Sequence, residues 1–279
     1  GKLSGVIAVT NSGAPGETSD FYIRGVSTFG GRATPLILLD GVEISSGDLN
    51  NLPAESIESF SILKDASATA IYGARGANGV MLITTKSGIE NSKARVNASF
   101  EYSFQQPTKL MEFVDGATWM EMYNEAMLTR NPTRTPRYSQ SDIDMTRSHV
   151  APYAYPDIDW YDLMFKDMTM NQRANINVQG GGSKVSYYLS LQANHDTGML
   201  NIPQNYSLKN NINTWNYTFQ NNIDYRLASS TKIGLRMNAQ VGHYTGPKTD
   251  VNSFFSMVYE DSNPIAIVPY FPAAEGDKH

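Results

Sequence analysis

The chain has 279 residues, of which 41% are hydrophobic, enough for a folded core and too many for wholesale disorder. Its 22 basic and 27 acidic side chains give a net charge of −5, which argues against nucleic acid as a partner, because phosphate binding needs a basic surface. It contains no cysteine, which excludes disulfide scaffolds, thiolate zinc sites and cysteine nucleophiles.

The sequence does not predict a membrane-spanning helix, because no apolar run approaches about 18 residues. A transmembrane β-barrel is compatible with it, since the apolar band of a barrel occupies only every second residue. The chain begins Gly1-Lys2-Leu3-Ser4-Gly5, with no start methionine and no apolar leader, so we expect it to be processed or truncated at this end.

The residues up to about Gly88 predict a small mixed α/β unit. Short apolar runs predict strands at 6–9, 36–39, 60–63 and 80–85, the last rich in β-branched residues. Asp40-Gly41 is a turn dipeptide that closes the second run. Helices are predicted at 53–58, where Pro53 stands near the first turn, and over the Ala-rich residues 65–72, which end at Gly73.

After Lys93 the pattern changes to strict alternation of apolar and polar residues. It predicts five strands, over 96–104, 174–178, 185–193, 215–227 and 233–241, each with one apolar and one polar face. No charged residue falls on an apolar face, and only Asn221 interrupts one. The strand lengths and the Asn, Gln and Ser of the polar faces favour a membrane barrel with a hydrated lumen. A soluble β-sandwich is the alternative.

The links between these strands alternate in length. They are short at 180–184 and 228–231 and long at 106–173, at 195–214 and after 243. Bacterial barrels have short periplasmic turns and long extracellular loops, so the first strand is predicted to rise from the periplasm. Because about eight strands are needed to close a barrel, we expect most of the barrel to be missing at the C-terminal side.

One stretch of the sequence, residues 63–80, is highly specific. Together with two upstream segments, 22–25 and 35–42, it closely resembles the plug of TonB-dependent outer-membrane transporters, in particular the SusC/RagA-like group. Residues 157–165 and 180–191 resemble later segments of that group, so the resemblance covers essentially the whole chain. The plug-motif residues are Arg24, Gly25, Asp40, Gly41, Lys64, Asp65, Tyr72, Gly73, Arg75, Gly76, Asn78 and Gly79.

The resemblance implies a partial transmembrane β-barrel, its first five antiparallel strands, with an N-terminal mixed α/β plug domain. We expect the plug at 1–92 and the strands with their extracellular loops at 93–279, both incomplete. The implied function is TonB-dependent import of a large nutrient across the outer membrane of a Gram-negative bacterium. An oligosaccharide is the expected nutrient, and a peptide is the alternative. The implied partners are a SusD-like surface lipoprotein and TonB, the latter through a segment absent from this chain.

Two alternatives stay open for function. One is a siderophore or cobalamin transporter of the same architecture, and the other is a soluble β-rich binding module. Enzymatic activity has no support, because no catalytic constellation is present, and we expect no cofactor and no resident metal. The histidines are scattered, and the pairs Asp142/Asp144 and Asp157/Asp159 lack the spacing of a calcium loop.

The motif residues divide by expected role. Gly25, Gly41, Gly73, Gly76 and Gly79 are expected to supply positive φ or close backbone approach in a compact plug. The charged members are expected to form ion pairs within the plug or with the barrel wall; the alternative is that they only satisfy local loop backbone. These are Arg24, Lys64, Asp65 and Arg75.

The first long link is predicted to contain a helix capped by Asp115, with Trp119, Tyr123, Ala126 and Met127 on one face. We expect this face to pack within the extracellular loops; the alternative is contact with a partner lid or with substrate. Four further aromatic residues are expected to pack under loops or at the membrane interface. The alternative is that they stack on a sugar. This group is Tyr153, Tyr155, Trp160 and Tyr161.

Overall fold

The structure, a computed structural model, describes residues 6–10, 19–23, 34–64, 70–108, 112–201, 211–248, 253, 256 and 263–266. The chain divides into two compact units. The first comprises Gly1–Gln105, Thr169–Gly198 and Asn210–Gly246, and the second comprises Gln106–Met168, Met199–Lys209 and Pro247–His279. The domain boundary predicted at residue 92 stays a prediction, because the first unit contains residues on both sides of it.

The N-terminal part of the first unit, called here the plug segment (described residues between 6 and 91), contains six strands in two sheets. Strand β1 pairs with β2, and a second sheet has the order β4-β3-β6-β5, in which β3 and β6 are parallel and the other pairs antiparallel. The strands are β1 Val6–Thr10, β2 Ser19–Ile23, β3 Leu36–Leu39, β4 Val42–Glu43, β5 Ile57–Leu63 and β6 Val80–Thr85.

Strands β3 and β6 are buried on both faces, which explains their uninterrupted apolar sequences. On one face Ile37, Leu39 and Met81 pack in a cluster with Ile23. On the other face Leu36, Leu38 and Val80 form a smaller cluster, with Tyr72 against it. The predicted mixed α/β unit is therefore confirmed.

The helices of the plug segment are shorter than predicted. Helix α1 spans Ser46–Asn50, and the helix predicted at 53–58 is only the 3₁₀ turn Ala54–Ser56. The next residue, Ile57, already enters β5, whose pairing with β6 overrides the local helix preference. Of the helix predicted at 65–72, residues 65–69 lie outside the described residues, and Ala70–Gly76 is 3₁₀, interrupted at Gly73 (φ 59°, ψ −145°).

The remaining strands of the first unit form one antiparallel sheet in sequence order, β7 to β11. They contain 13 to 16 residues each, more than the roughly 9–11 needed to cross a bilayer at a tilt. The β8–β9 and β10–β11 links are short and the others long, as predicted. The strands are β7 Ser92–Gln105, β8 Thr169–Gly181, β9 Val185–Thr197, β10 Asn213–Ala228 and β11 Thr231–Thr245.

The two faces of this sheet are inverted relative to a water-soluble protein. On β9, Leu191 is 56% exposed whereas its neighbour Gln192 is 5% exposed. The same contrast separates Tyr217, exposed, from Thr218, buried, on β10. A soluble sandwich buries its apolar faces between sheets. Burial of the polar face against the plug segment, with an apolar surface outside, instead matches a barrel wall in lipid.

Aromatic side chains lie near both ends of the apolar face. Tyr102 and Phe104 stand at the end of β7 that leads into a long link, with ring centroids 5.2 Å apart. Trp215 stacks on His195 at 4.1 Å near the corresponding end of β10. Tyr225 lies at the opposite end, next to the short β10–β11 turn. Two aromatic girdles bounding an apolar band are typical of outer-membrane barrels.

The second unit contains helices α2 (Gly116–Arg130), α3 (Gln140–Ser148) and α4 (Trp160–Met164). The predicted cap is confirmed, since the Asp115 carboxylate accepts a hydrogen bond from the Thr118 amide at 2.7 Å. The predicted buried face of α2 is partly wrong. Ala117 and Met120 are buried against Ile143 of α3, whereas Ala126 is exposed, because α3 packs only on the N-terminal half of α2.

Several side chains singled out in these links serve local structure. Asp157 accepts a hydrogen bond from the Gly116 amide at 2.7 Å, Asp159 caps α4, and Asp142 completes a capping box with Ser139. The Trp160 indole donates to the Asn263 carbonyl at 2.9 Å. Within the described ranges, no three metal-ligating side chains come together. None of the helices described has the length and apolar character needed to span a membrane.

Substitution Leu191→Arg, at the centre of β9, tests the inverted faces. In lipid we expect it to reduce the free energy of unfolding by about 2–4 kcal/mol, the range for a basic residue at the bilayer midplane of a barrel. The measurement is denaturant unfolding of the full-length protein in lipid vesicles. Ser229→Arg, in the exposed β10–β11 turn, is the control and should change little. Equal effects of the two substitutions would contradict a lipid-facing surface.

Candidate functional site

The motif residues Asp40 and Gly41 form the turn between β3 and β4. Both have positive φ, 49° and 91°, as the central residues of a type I′ hairpin require. The Asp40 carboxylate accepts hydrogen bonds from the Thr85 amide, at 2.9 Å, and from the Thr85 hydroxyl. The aspartate therefore ties this turn to the end of β6.

The other motif side chains act mainly within the plug segment. Arg75 forms an exposed ion pair with Glu43 of β4, so the structure pairs Arg75 within the plug segment. Tyr72 packs on the β3–β6 cluster, and Lys64 follows the last residue of β5. Asn78 is half-buried in the turn before β6. Arg24, Gly25 and Asp65 lie outside the described residues, and ion pairing by Arg24, Lys64 and Asp65 stays a prediction.

Three of the motif glycines have positive φ: Gly41, Gly73 and Gly79. Gly76 is buried and accepts a hydrogen bond from the Gly79 amide at 2.9 Å. At Gly79 (φ 93°) a Cβ atom would lie 3.0 Å from Cδ1 of Ile23, whereas at Gly41 a Cβ would meet nothing within 4 Å. Gly79 therefore serves both the backbone conformation and the packing of β2 on β6.

Alanine at these two glycines separates conformation from packing. Gly41→Ala should reduce the stability of the plug by about 1–2 kcal/mol, the cost of a left-handed conformation for a residue with a Cβ. Gly79→Ala should cost more, since Ile23 must also move. Denaturant-dependent proteolysis of the plug in the assembled protein measures both effects. An equal loss for the two variants would contradict the packing role.

The plug segment contacts the polar face of the sheet through two groups of hydrogen bonds. In the first group, backbone carbonyls around α1 accept from the sheet. Thr218 donates to the Asn51 carbonyl at 3.0 Å, and Gln240 donates to the Asp48 carbonyl at 3.1 Å. Tyr188, fully buried on β9, is within 3.4 Å of the Glu55 carbonyl. These contacts are single and uncharged.

The second group involves residues 85–91, which lead from β6 into β7. The buried Asn222 side chain donates to the Thr85 hydroxyl at 2.6 Å and to the Lys86 carbonyl at 2.8 Å. Gln179 donates to the Ser87 carbonyl at 2.6 Å. This link is therefore attached to both β8 and β10.

Glu90 adds ionic contacts to the second group. Its carboxylate lies 2.7 Å from the Lys232 ammonium and also pairs with Arg226, the two cations flanking the β10–β11 turn. The hydrogen bond from Lys232 is the largest cause that lowers the pKa of Glu90, followed by that from Arg226, against an opposing effect of burial. Glu90 is therefore ionised at neutral pH and holds the link against the end of two strands.

Comparison with known proteins agrees with this arrangement. Residues 1–80 match the family model of the TonB-dependent receptor plug domain. The chain is 33% identical over 241 residues to TonB-dependent receptor P26 of Formosa agariphila, covering 85% of this chain and 22% of that protein. It is 28% identical over 254 residues to TonB-dependent receptor SusC of Bacteroides thetaiotaomicron, covering 88% of this chain and 23% of that protein.

The chain belongs to the SusC/RagA-like TonB-dependent receptors. Solved structures of the RagAB peptide transporter also match, one with a TM-score of 0.72 at 25% identity over 88% of this chain and 28% of that chain. Another, in the closed-closed state, has a TM-score of 0.71 at 26% identity over 89% of this chain and 28% of that chain. The chain thus spans about a quarter or less of the curated relatives it matches.

For a SusC/RagA-like receptor, the plug segment corresponds to the plug and β7 to β11 to the first part of the barrel wall. The predicted fold class is confirmed. Sequence reasoning missed the plug-to-wall contacts of Glu90, Arg226, Lys232 and Asn222. A usable signal was present, because Arg226 and Lys232 flank a predicted periplasmic turn and Glu90 lies in the link that leads into the first predicted strand.

Substitution Glu90→Gln tests the ionic attachment. We expect the plug to become several-fold more sensitive to protease in outer-membrane vesicles, because both ion pairs are lost. High salt should narrow the difference by screening the wild-type pairs. Glu58→Gln is the matched control, since Glu58 is exposed and makes no ion pair with the residues the structure describes.

The same variant has a distinct pH dependence. The folded-state pKa of Glu90 lies below its ordinary value of 4.5, so its stabilising contribution is complete above that value. The contribution is lost as the pH falls through the lowered folded-state pKa. Wild type should therefore approach the variant's protease sensitivity in acid, while a difference that persists unchanged at low pH would contradict the ionic role.

Proposed function

We propose that this chain supplies the plug and the first five wall strands of a receptor that imports a large nutrient across the outer membrane. TonB-dependent receptors of the SusC/RagA type are outer-membrane proteins of Gram-negative bacteria, and we place this chain there. The observation that carries the proposal is the inverted sheet, with an apolar outer face and a polar face hydrogen-bonded to the plug segment. Such a wall needs lipid outside and a filled, hydrated lumen inside.

The plug blocks the lumen in this proposal, and import requires that it move. Force from TonB would act on the plug. The contacts around α1 are suited to reversible release, because each is a single hydrogen bond from a wall side chain to a backbone carbonyl. Water can replace such a bond at small net cost.

A surface lipoprotein of the SusD type is the proposed partner on the extracellular side. The long links of the second unit would face it, whereas the short β8–β9 and β10–β11 turns would face the periplasm. The ordered helices α2 and α3 give these links a defined surface.

An oligosaccharide is the proposed cargo. The buried part of the polar face consists largely of neutral amide and hydroxyl side chains, among them Asn175, Gln192 and Gln220. Such side chains suit a hydroxyl-rich, uncharged molecule. A peptide is the second candidate, favoured by the likeness to the RagAB peptide importer.

Uptake by the native host tests this proposal. Deletion of the full-length gene should abolish uptake of one class of neutral oligosaccharide to the level of a strain without TonB, while re-expression restores it. The panel should include peptides, ferric siderophores and cobalamin. Loss of peptide uptake alone would establish the second candidate, and loss of ferric siderophore or cobalamin uptake alone would overturn the nutrient class proposed here.

A further inference from the structure

The polar face of the sheet divides into two regions along its strands. Near the short turns, residues 85–91 of the plug segment are held by four wall side chains: Gln179, Asn222, Arg226 and Lys232. Towards the long-link end, four uncharged side chains carry buried polar atoms with no hydrogen-bond partner among the residues that the structure describes. We call these four the amide track: Gln192, Asn194, Thr214 and Gln220.

The amide track is continuous across two paired strands. Gln192 stands opposite Thr218, Asn194 opposite Asn216, and Gln220 opposite Ser190. From Thr214 to Gln220 the track runs roughly 20 Å along β10, at about 3.4 Å per residue. Its members are 1% to 8% exposed.

A cavity of about 170 Å³ lies beside the track. It separates α1 from β10 and β11 and is lined by Asp48, Asn51, Asn216, Thr218 and Gln240, among others. Its rim includes two of the single hydrogen bonds around α1, from Thr218 and from Gln240. Asn216 and Thr218 line the cavity and also stand opposite two members of the track, Asn194 and Gln192. Release of the two hydrogen bonds would therefore join the cavity to the track.

The chemistry of the track favours an uncharged, hydroxyl-rich ligand. A side-chain amide offers both donors and an acceptor, and a hydroxyl group can hydrogen-bond to either. Buried polar atoms are normally paired, so the open donors and acceptors on this face are available to water or to a ligand in the lumen. None of the four side chains is charged. The charged residues paired with the track, Asp196 opposite Thr214 and Arg173 opposite Asn194, lie at its long-link end, so the stretch from Gln192 to Gln220 is neutral.

We propose that the amide track and the adjoining cavity form the wall of the passage along which a neutral glycan segment moves past the plug. This inference rests on the proposed import function and adds the path and the contacting residues. The periplasmic half of the same face carries the ionic attachment of residues 85–91, while the track contacts the cargo.

Uptake by the full-length receptor, expressed with its lipoprotein in the native host, tests the track. The probes are tritium-labelled neutral gluco-, fructo- and manno-oligosaccharides. We expect Gln192→Leu and Gln220→Leu each to slow uptake about tenfold, the effect of losing one ordinary hydrogen bond, with surface binding of the same probe unchanged. Gln220→Asn, which keeps the amide, should retain most of the rate.

Asn238→Leu is the matched control, because Asn238 stands opposite Gln220 on β11 outside the track and is exposed. It should leave uptake near the wild-type rate. If both leucine variants take up the probes at the wild-type rate, the role of the track is overturned while the proposed import stays intact. No uptake of any probe by the wild type, with peptide uptake present, would overturn the proposed glycan import itself.

Cysteine labelling provides a second measurement on assembled protein. The chain contains no cysteine, so Gln220→Cys introduces a single thiol into it. A membrane-impermeant maleimide should label this thiol in cells with working TonB and not in cells without it, whereas Ser148→Cys, in an exposed link, should label in both. Labelling of Gln220→Cys that is absent in both strains, or equal in both, would overturn the passage.

Discussion

The structure depends on one constraint, a sheet whose apolar face is exposed and whose polar face is covered. Water cannot solvate such an outer face without a large cost, and lipid cannot satisfy the inner one. The plug segment meets the inner requirement with backbone carbonyls and a few side chains, not with an apolar surface. Its own apolar residues are used inside, between β3, β6 and their neighbours.

The covering of the polar face is uneven, and this unevenness has a physical basis. Residues 85–91 continue directly into β7, so chain connectivity already restricts their motion, and charged and multiple hydrogen bonds are concentrated there. Around α1 the contacts are single and neutral, and a cavity separates the helix from the wall. The plug segment is therefore attached firmly at residues 85–91 and more weakly around α1.

The sequence predicts what short-range patterns determine. Alternation predicted all five wall strands, and Asp40-Gly41 predicted its turn, because both signals lie in adjacent residues. The Glu90 attachment was missed, because Glu90 and Arg226 are 136 residues apart and meet only through the strand register. The helix predicted at 53–58 failed for a related reason, since pairing of Ile57 with distant Thr85 decided its conformation.

The motif residues stabilise the plug internally, whereas the wall contacts attach it to the sheet, and Thr85 takes part in both. Asp40, Arg75 and Gly79 stabilise the plug internally, through the Thr85 hydrogen bonds, the Glu43 ion pair and the fit to Ile23. Residues outside the motif, among them Ser87 and Glu90, make the wall contacts described above. The buried Thr85 hydroxyl donates to Asp40 and accepts from Asn222, so two hydrogen bonds connect the wall to the β3–β4 turn.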